Sequence, residues 1–289
     1  MTLLADAELK AATAQYLAQV TARGGLPGIF DKWFLRVARQ LAMLDPVEPW
    51  EESVPREAAA LAWDFLRLRQ FVTRWRQGRL VPHAQREASG ADYLPGYGTE
   101  FGVDVLLTCQ GTGETLQWRG LPLMKTVFDF ALYPQLIAEL RPASIFEIGS
   151  GSGASALWFA DLMRLHDIAG AVHSVDIAMV QKTAPGVTFH QGDCSAPESL
   201  FPAEVLGAAP HPWLVIEDAH HNVRNVLAHF HRYLVPGDYL VVEDSEIKRE
   251  DIGGFLAPHP DAYRVDTKYT DFFGRNATCA LDSIFRRVA

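Results

Sequence analysis

The sequence predicts an α/β protein: a Rossmann-like, mostly parallel sheet with helices on both faces, preceded by an N-terminal helical region. Three observations carry this expectation. From about Thr126 onward, short apolar runs alternate with stretches of helical periodicity. The run Phe146-Glu147-Ile148 leads into Gly149-Ser150-Gly151-Ser152-Gly153-Ala154, a glycine turn between a strand and a helix. Acids then follow the later apolar runs, at Asp176, Asp193, Asp218 and Glu243-Asp244. Alternating strand and helix units of this kind build parallel sheets.

Residues 1–117 read as a separate helical region. Apolar residues recur at helical spacing in Asp6–Val20, Asp31–Leu44 and Arg56–Gln77. In the third, Leu61, Phe65, Leu68, Phe71, Val72 and Trp75 share one face. These helices are expected to join copies of the chain into a homo-oligomer, or to form a lid. Ser89–Gly113 has the glycine and proline content of an ordered loop. Residues 118–289 form the second domain. Val127–Leu140 reads as a helix, Ser144–Ile148 as the first strand and Ala154–Leu165 as its following helix. Ala171–Val175 ends at Asp176, Val187–His190 at Gly192-Asp193, and Trp213–Ile216 at Glu217-Asp218. A helix over Val223–Leu234 precedes the fifth strand, Tyr239–Val242, which ends at Glu243-Asp244. Strands near Tyr263–Thr267 and Thr278–Arg286 close the sheet. Ligands of such sheets bind at the carboxyl ends of the strands, where these acids sit.

Composition narrows the function. At 289 residues and 48% hydrophobic content the chain can bury a full core. A net charge of −9 argues against a nucleic-acid partner. Cys109, Cys194 and Cys279 are odd in number and widely spaced, so neither a disulfide framework nor a zinc site is expected, and a reducing cytoplasm fits. No basic flank precedes an apolar run at the N-terminus, and no apolar stretch is long enough to span a bilayer.

The glycine turn is the expected cofactor site. Glycine tolerates positive φ and lets a ligand approach the backbone, and the following helix offers unpaired N–H groups. Gly149, Gly151, Gly153 and Ser155 are the candidate cradle. Glu147 is placed near the ammonium of a bound methionine moiety, Asp176 near ribose hydroxyls and Asp193 near an adenine amino group. Lys125 is a candidate for the cofactor carboxylate, a surface ion pair being its plainer reading. This acid series resembles the class I methyltransferases that use S-adenosylmethionine (SAM). Gly149 and Gly151 with Ala154 also satisfy the looser dinucleotide fingerprint. An NAD-dependent oxidoreductase is therefore a rival, which leaves the tips of strands four and five unexplained. A non-enzymatic subunit of the same fold is a second rival.

Those tips make the second constellation. In the strand order of methyltransferases they are neighbours, so Asp218, Glu243 and Asp244 converge. Three like charges repel unless a cation lies among them. Oxygen ligands favour a hard dication, Mg²⁺ or Mn²⁺. His221 is the expected general base, with Asp218 beside it in the catalytic pair, since imidazole titrates near neutrality. His220 either orients a ligand or packs. The plainer reading of Asp218 is a cap on the helix that follows.

The run Trp118-Arg119-Gly120-Leu121-Pro122-Leu123-Met124-Lys125, with Asp129, Tyr133, Phe146-Glu147-Ile148-Gly149, Asp218-Ala219-His220 and Tyr239-Leu240-Val241-Val242-Glu243-Asp244, resembles the cephalosporin hydroxylase family. The resemblance covers about residues 118–289 and extends to metal-dependent macrolide-sugar O-methyltransferases. It implies the class I methyltransferase fold, SAM, a dication on Asp218, Glu243 and Asp244, and His221 as base. The expected reaction is O-methylation of a hydroxyl on a small secondary metabolite. N- or C-methylation and a non-methylating SAM reaction are the alternatives.

Overall fold

A computed structural model describes residues 6–22, 72, 76, 78–88, 99, 109–110 and 116–289. It divides into two compact units, Met1–Arg79 and Leu80–Ala289, so the sheet unit starts ahead of the expected boundary at 117/118. In the first unit α1 (Asp6–Ala22) agrees with the expected first helix, and Leu9, Ala12 and Thr13 share its buried side. The expected helices over 31–44 and 56–77 lie outside the described residues, apart from Val72 and Arg76. Among the described residues no helix is long and apolar enough to cross a membrane.

The second unit is built on an eight-stranded sheet. In chain order its strands are β1 (Leu80–Val81), β4 (Ser144–Ile148), β5 (Ala171–Asp176), β6 (Val187–Gln191), β7 (Trp213–Glu217), β8 (Tyr239–Val242), β9 (Tyr263–Asp266) and β10 (Ile284–Arg287). A small hairpin, β2 (Gln117–Trp118) and β3 (Leu121–Pro122), lies apart from it. The spatial order is β1-β9-β10-β8-β7-β4-β5-β6. Pairing is parallel from β6 through β5, β4 and β7 to β8, then antiparallel through β10 and β9 to β1. Every residue of β4, β7 and β8 is buried, which is why these strands read as continuous apolar runs. The turns of the chain after β4 and β7 leave in different directions, which makes a topological switch point for a ligand.

Helices α3 (Asp129–Leu140), α4 (Ala154–Leu165), α5 (Ala203–Ala208), α6 (Val223–His231) and α7 (Arg249–Leu256) flank the sheet. α3 starts on a reciprocal cap: Asp129 N–H donates to Thr126 Oγ1 at 3.1 Å, and Thr126 N–H donates to Asp129 Oδ2 at 3.0 Å. Gly253-Gly254 lies inside α7, where Ile252 and Phe255 bury one face of that helix. A Cβ on Gly254 would stand 2.2 Å from the Arg224 guanidinium, the far end of an exposed side chain that can move aside. Phe255 lies in the core with Tyr263 and Phe285.

The segment from β1 through α2 (His83–Ala88) is held to the chain's end by Arg86. Its Nη1 and Nη2 each donate to Asp271 at 2.7 Å, and Nε donates to Asp282 at 2.6 Å. Arg86 is 3% exposed and Asp271 0%. The loop that Asp271 opens carries Thr278, whose Oγ1 donates to Asp129 at 2.8 Å, and Cys279, whose carbonyl accepts from Ser245 N at 3.2 Å. One buried guanidinium thus braces the backbone that supports the tip of β8.

Candidate functional site

A cavity of about 540 Å³ opens at the carboxyl ends of β4, β5, β6 and β7. That size suits a cofactor-sized ligand. Its wall includes Gly149, Gly151, Ser155, Asp176, Asp193, Asp218, His221, Asp244 and Lys125, all expected from sequence.

The glycine turn is left-handed at Gly149, Gly151 and Gly153, with φ of +102°, +51° and +82°. Their tasks differ. A Cβ on Gly149 would lie 2.8 Å from the backbone carbon and oxygen of Asp218, so this glycine lets β4 and the β7 tip touch. A Cβ on Gly151 would meet nothing within 4 Å, so this residue faces open space at the cavity wall. Gly153 instead makes room for Val180 and Phe189, at 2.9 and 3.0 Å from the added atom, and does not line the cavity. Gly149→Ala is expected to lower stability by about 1–3 kcal/mol through backbone strain. A thermal midpoint equal to that of the parent protein contradicts this.

Glu147 also lies behind the cavity rather than in its wall. It is 0% exposed and accepts a hydrogen bond from Ser174 Oγ, and among the described residues its Oε1 has no hydrogen-bond partner. Burial is the main cause that pushes its carboxyl up to about 7. Asp176 accepts the Gly151 N–H at 2.9 Å and so shapes the turn from the next strand. Asp193 accepts the Ser195 N–H at 2.7 Å, and this bond is the main cause that holds its carboxyl below the usual range.

The acids at the tips of β7 and β8 separate. Among the described residues, Asp218, His220 and Asp244 form the group with a metal-binding geometry, each offering an atom within 4.8 Å of the others. His220 Nε2 stands 3.5 Å from Asp218 and 3.2 Å from Asp244. Its hydrogen bond to Asp218 raises its pKa, against burial. Two carboxylates and an imidazole are donors a divalent ion accepts. Glu243, the expected third carboxylate, is turned inward, where it takes hydrogen bonds from Lys125 and Tyr133. Asp244 follows β8 with a left-handed backbone (φ 46°) and lies on the cavity wall, which Glu243 does not reach.

Lys125 supplies the missing counter-charge. Its buried ammonium pairs with Glu243 and with Asp218, the latter at 3.0 Å. Burial alone would lower its pKa, but the two carboxylates outweigh it and the net shift is upward. The same ammonium, with the His220 hydrogen bond, overcomes the effect of burial on Asp218 and holds that carboxyl down. Lys125 therefore already compensates Asp218 and Glu243, leaving the Asp218–Asp244 side for a second cation. A further buried pair steadies the tip: Lys248 Nζ donates to Glu217 at 2.9 Å, and Glu217 accepts the Ala219 N–H at 3.0 Å. These two residues carried no signal in the sequence beyond the alternation that turns Glu217 inward.

His221 is on the cavity wall but points away from the acids, sharing a 3.0 Å hydrogen bond with Ser195 Oγ. The structure thus puts His220, not His221, beside Asp218. The backbone is left-handed at His220 (φ 58°) and Asn222 (φ 52°), which turns the two imidazoles apart.

Comparisons with known proteins agree with this architecture. The family model described as rhamnosyl O-methyltransferase/CmcI matches residues 110–273, more than half of the chain. A rhamnosyl O-methyltransferase of Mycobacterium leprae is 33% identical over 142 residues, 46% of this chain and 62% of that protein. One of Mycobacterium bovis is 30% identical over 165 residues, 54% of this chain and 66% of that protein. The chain thus spans less than two thirds of the length of these curated relatives. A structure of CmcI with Mg and SAM superposes with a TM-score of 0.52 at 27% identity, over 69% of this chain and 88% of that one. The sheet order, the glycine turn and the matched residues agree with the family resemblance found in the sequence, and the chain belongs to the rhamnosyl O-methyltransferase/CmcI family, on the class I SAM methyltransferase fold.

Proposed function

We propose that this chain is a SAM-dependent methyltransferase that methylates a hydroxyl of a small molecule, with a divalent cation, Mg²⁺ or Mn²⁺, held by Asp218 and Asp244. The observation that carries this reading is the Asp218–His220–Asp244 group at the wall of the glycine-turn cavity. The relative solved with Mg and SAM supports both cofactors. The curated relatives, named rhamnosyl O-methyltransferases, support oxygen as the acceptor atom and make sugar hydroxyls the first class to try.

Gly149, Gly151, Ser155, Asp176 and Asp193 line the space for SAM, while Glu147 is buried on Ser174 behind it and Gly153 makes room for Val180 and Phe189. Lys125 keeps Asp218 ionised and in place. The cation, when bound, polarises the acceptor oxygen and lowers its pKa. His220, beside both acids, would complete the cation's ligand set, and His221, on the cavity wall three residues after Asp218, is the candidate that takes the hydroxyl proton. The cavity would hold the acceptor oxygen in line with the SAM methyl, whose transfer would break the sulfur–methyl bond and release S-adenosylhomocysteine, and most of the rate gain would come from that positioning.

The test is incubation with methyl-labelled SAM and a panel of hydroxylated small molecules, sugars included. Label is expected on an acceptor oxygen with Mg²⁺ or Mn²⁺ and to vanish with EDTA. Transfer to nitrogen or carbon, or transfer indifferent to EDTA, overturns the proposal.

A further inference from the structure

Glu243 is buried just past the end of β8, and each of its carboxylate oxygens has its own donor. The Tyr133 hydroxyl donates to Oε1 and the Lys125 ammonium to Oε2. The same ammonium donates to Asp218 Oδ2 at 3.0 Å. Asp218 Oδ1 is left on the other side, where His220 Nε2 stands 3.5 Å from it. A continuous chain of contacts thus runs from the Tyr133 phenol through Glu243 and Lys125 to an acid of the cation group. The phenol end of that chain is well held. Tyr133 is buried on α3, one turn after Asp129, whose carboxylate accepts the Thr278 hydroxyl at 2.8 Å. Its ring packs on Phe159 and Trp158 of α4, with centroids 5.0 and 5.7 Å away.

We propose that Tyr133 is a positioning residue of the cation site: by fixing Glu243, and through it Lys125, it sets which oxygen Asp218 presents. This deepens the proposed function and rests on its reading that Asp218 holds a divalent cation. A buried carboxylate that loses one of its two donors draws harder on the other, since an unmet buried acceptor is costly. Without the phenol, Lys125 shifts toward Glu243 and its hold on Asp218 Oδ2 weakens. The Asp218 carboxylate then turns more freely, and a ligand group that must be held to a fraction of an ångström loses its shape. Tyr133 is not part of the cavity wall, so its contribution to the site passes through Glu243. Outer partners of this kind orient the groups that ligate a metal and tune its affinity.

Phenylalanine removes the hydroxyl and keeps the ring against Trp158 and Phe159, so Y133F isolates the hydrogen bond. L136A is the structural control, because Leu136 is buried on the same helix and in the same core yet offers no polar atom to Glu243. Both variants are compared with the parent protein by Mn²⁺ titration followed by electron paramagnetic resonance, by calorimetric titration of SAM without metal, and by thermal midpoint. Y133F is expected to weaken Mn²⁺ binding by roughly three- to ten-fold, the scale of one lost hydrogen bond. The spectrum of its bound ion is expected to change, because the ligand group has altered, while SAM affinity stays at the parent value. L136A is expected to lower the midpoint further than Y133F through the cavity it leaves, with Mn²⁺ affinity and spectrum as in the parent. Should L136A fail to fold, the Y133F spectrum decides alone. Mn²⁺ binding and spectrum in Y133F equal to the parent's overturn the assignment. So does an L136A that weakens Mn²⁺ as much as Y133F, which makes the effect one of stability. A parent protein that binds no Mn²⁺ defeats the proposed function itself and is told apart by the first titration.

Discussion

Replacing Asp218 by asparagine is expected to lower methyl transfer by about two to three orders of magnitude, the usual scale for losing a preorganised electrostatic group. The side chain is at once a member of the acid–imidazole group and the partner of buried Lys125. Asparagine keeps the shape but removes the charge, so the second cation loses a ligand and Lys125 is left with Glu243 alone. SAM affinity should change much less, because the glycine turn and Asp176 are not part of that group. The measurement is kcat at saturating SAM and Mg²⁺, beside a titration of SAM. Activity within three-fold of the parent enzyme would show that the carboxylate has no part in the chemistry.

Arg86→Ala has the largest expected effect on stability, a loss of about 3–5 kcal/mol, because it strands Asp271 as a buried charge. Native domains have only about 5–15 kcal/mol in hand, so the shift is large. A urea titration reads it as a lower midpoint. Arg86→Lys should recover part of the loss at most, since an ammonium does not reproduce the guanidinium's fork onto the carboxylate. The loop that Asp271 opens also carries Cys279, which supports Ser245 next to Asp244, so some loss of activity accompanies the loss of stability. An unchanged midpoint would mean that Asp271 is not held as the structure shows.

Local pattern made the sheet legible. The strands at Ser144–Ile148, Trp213–Glu217 and Tyr239–Val242 are buried on both sides, and such strands appear as unbroken apolar runs bounded by glycine or acid. The acids at their ends were legible for the same reason, as the first polar residues after the run. The partners of those acids were not. Lys125 lies 93 residues from Asp218 and 118 from Glu243 in sequence, and only the folded chain brings the three together. The choice between His220 and His221 turns on two left-handed residues in an aperiodic loop, where spacing carries no directional information. The parting of Glu243 and Asp244 was equally hidden, since both follow the end of β8 and Asp244 takes a left-handed backbone. Arg86 had no signal, since its partners Asp271 and Asp282 follow it by nearly two hundred residues.

Binding of Mn²⁺, followed by its electron paramagnetic resonance signal in the presence of SAM, tests the central claim most directly. One ion per chain is expected, displaced by Mg²⁺ and lost in the D218N/D244N double variant, while Glu243→Gln retains binding. Absence of a bound ion, or an ion held equally well without Asp218 and Asp244, would contradict the account.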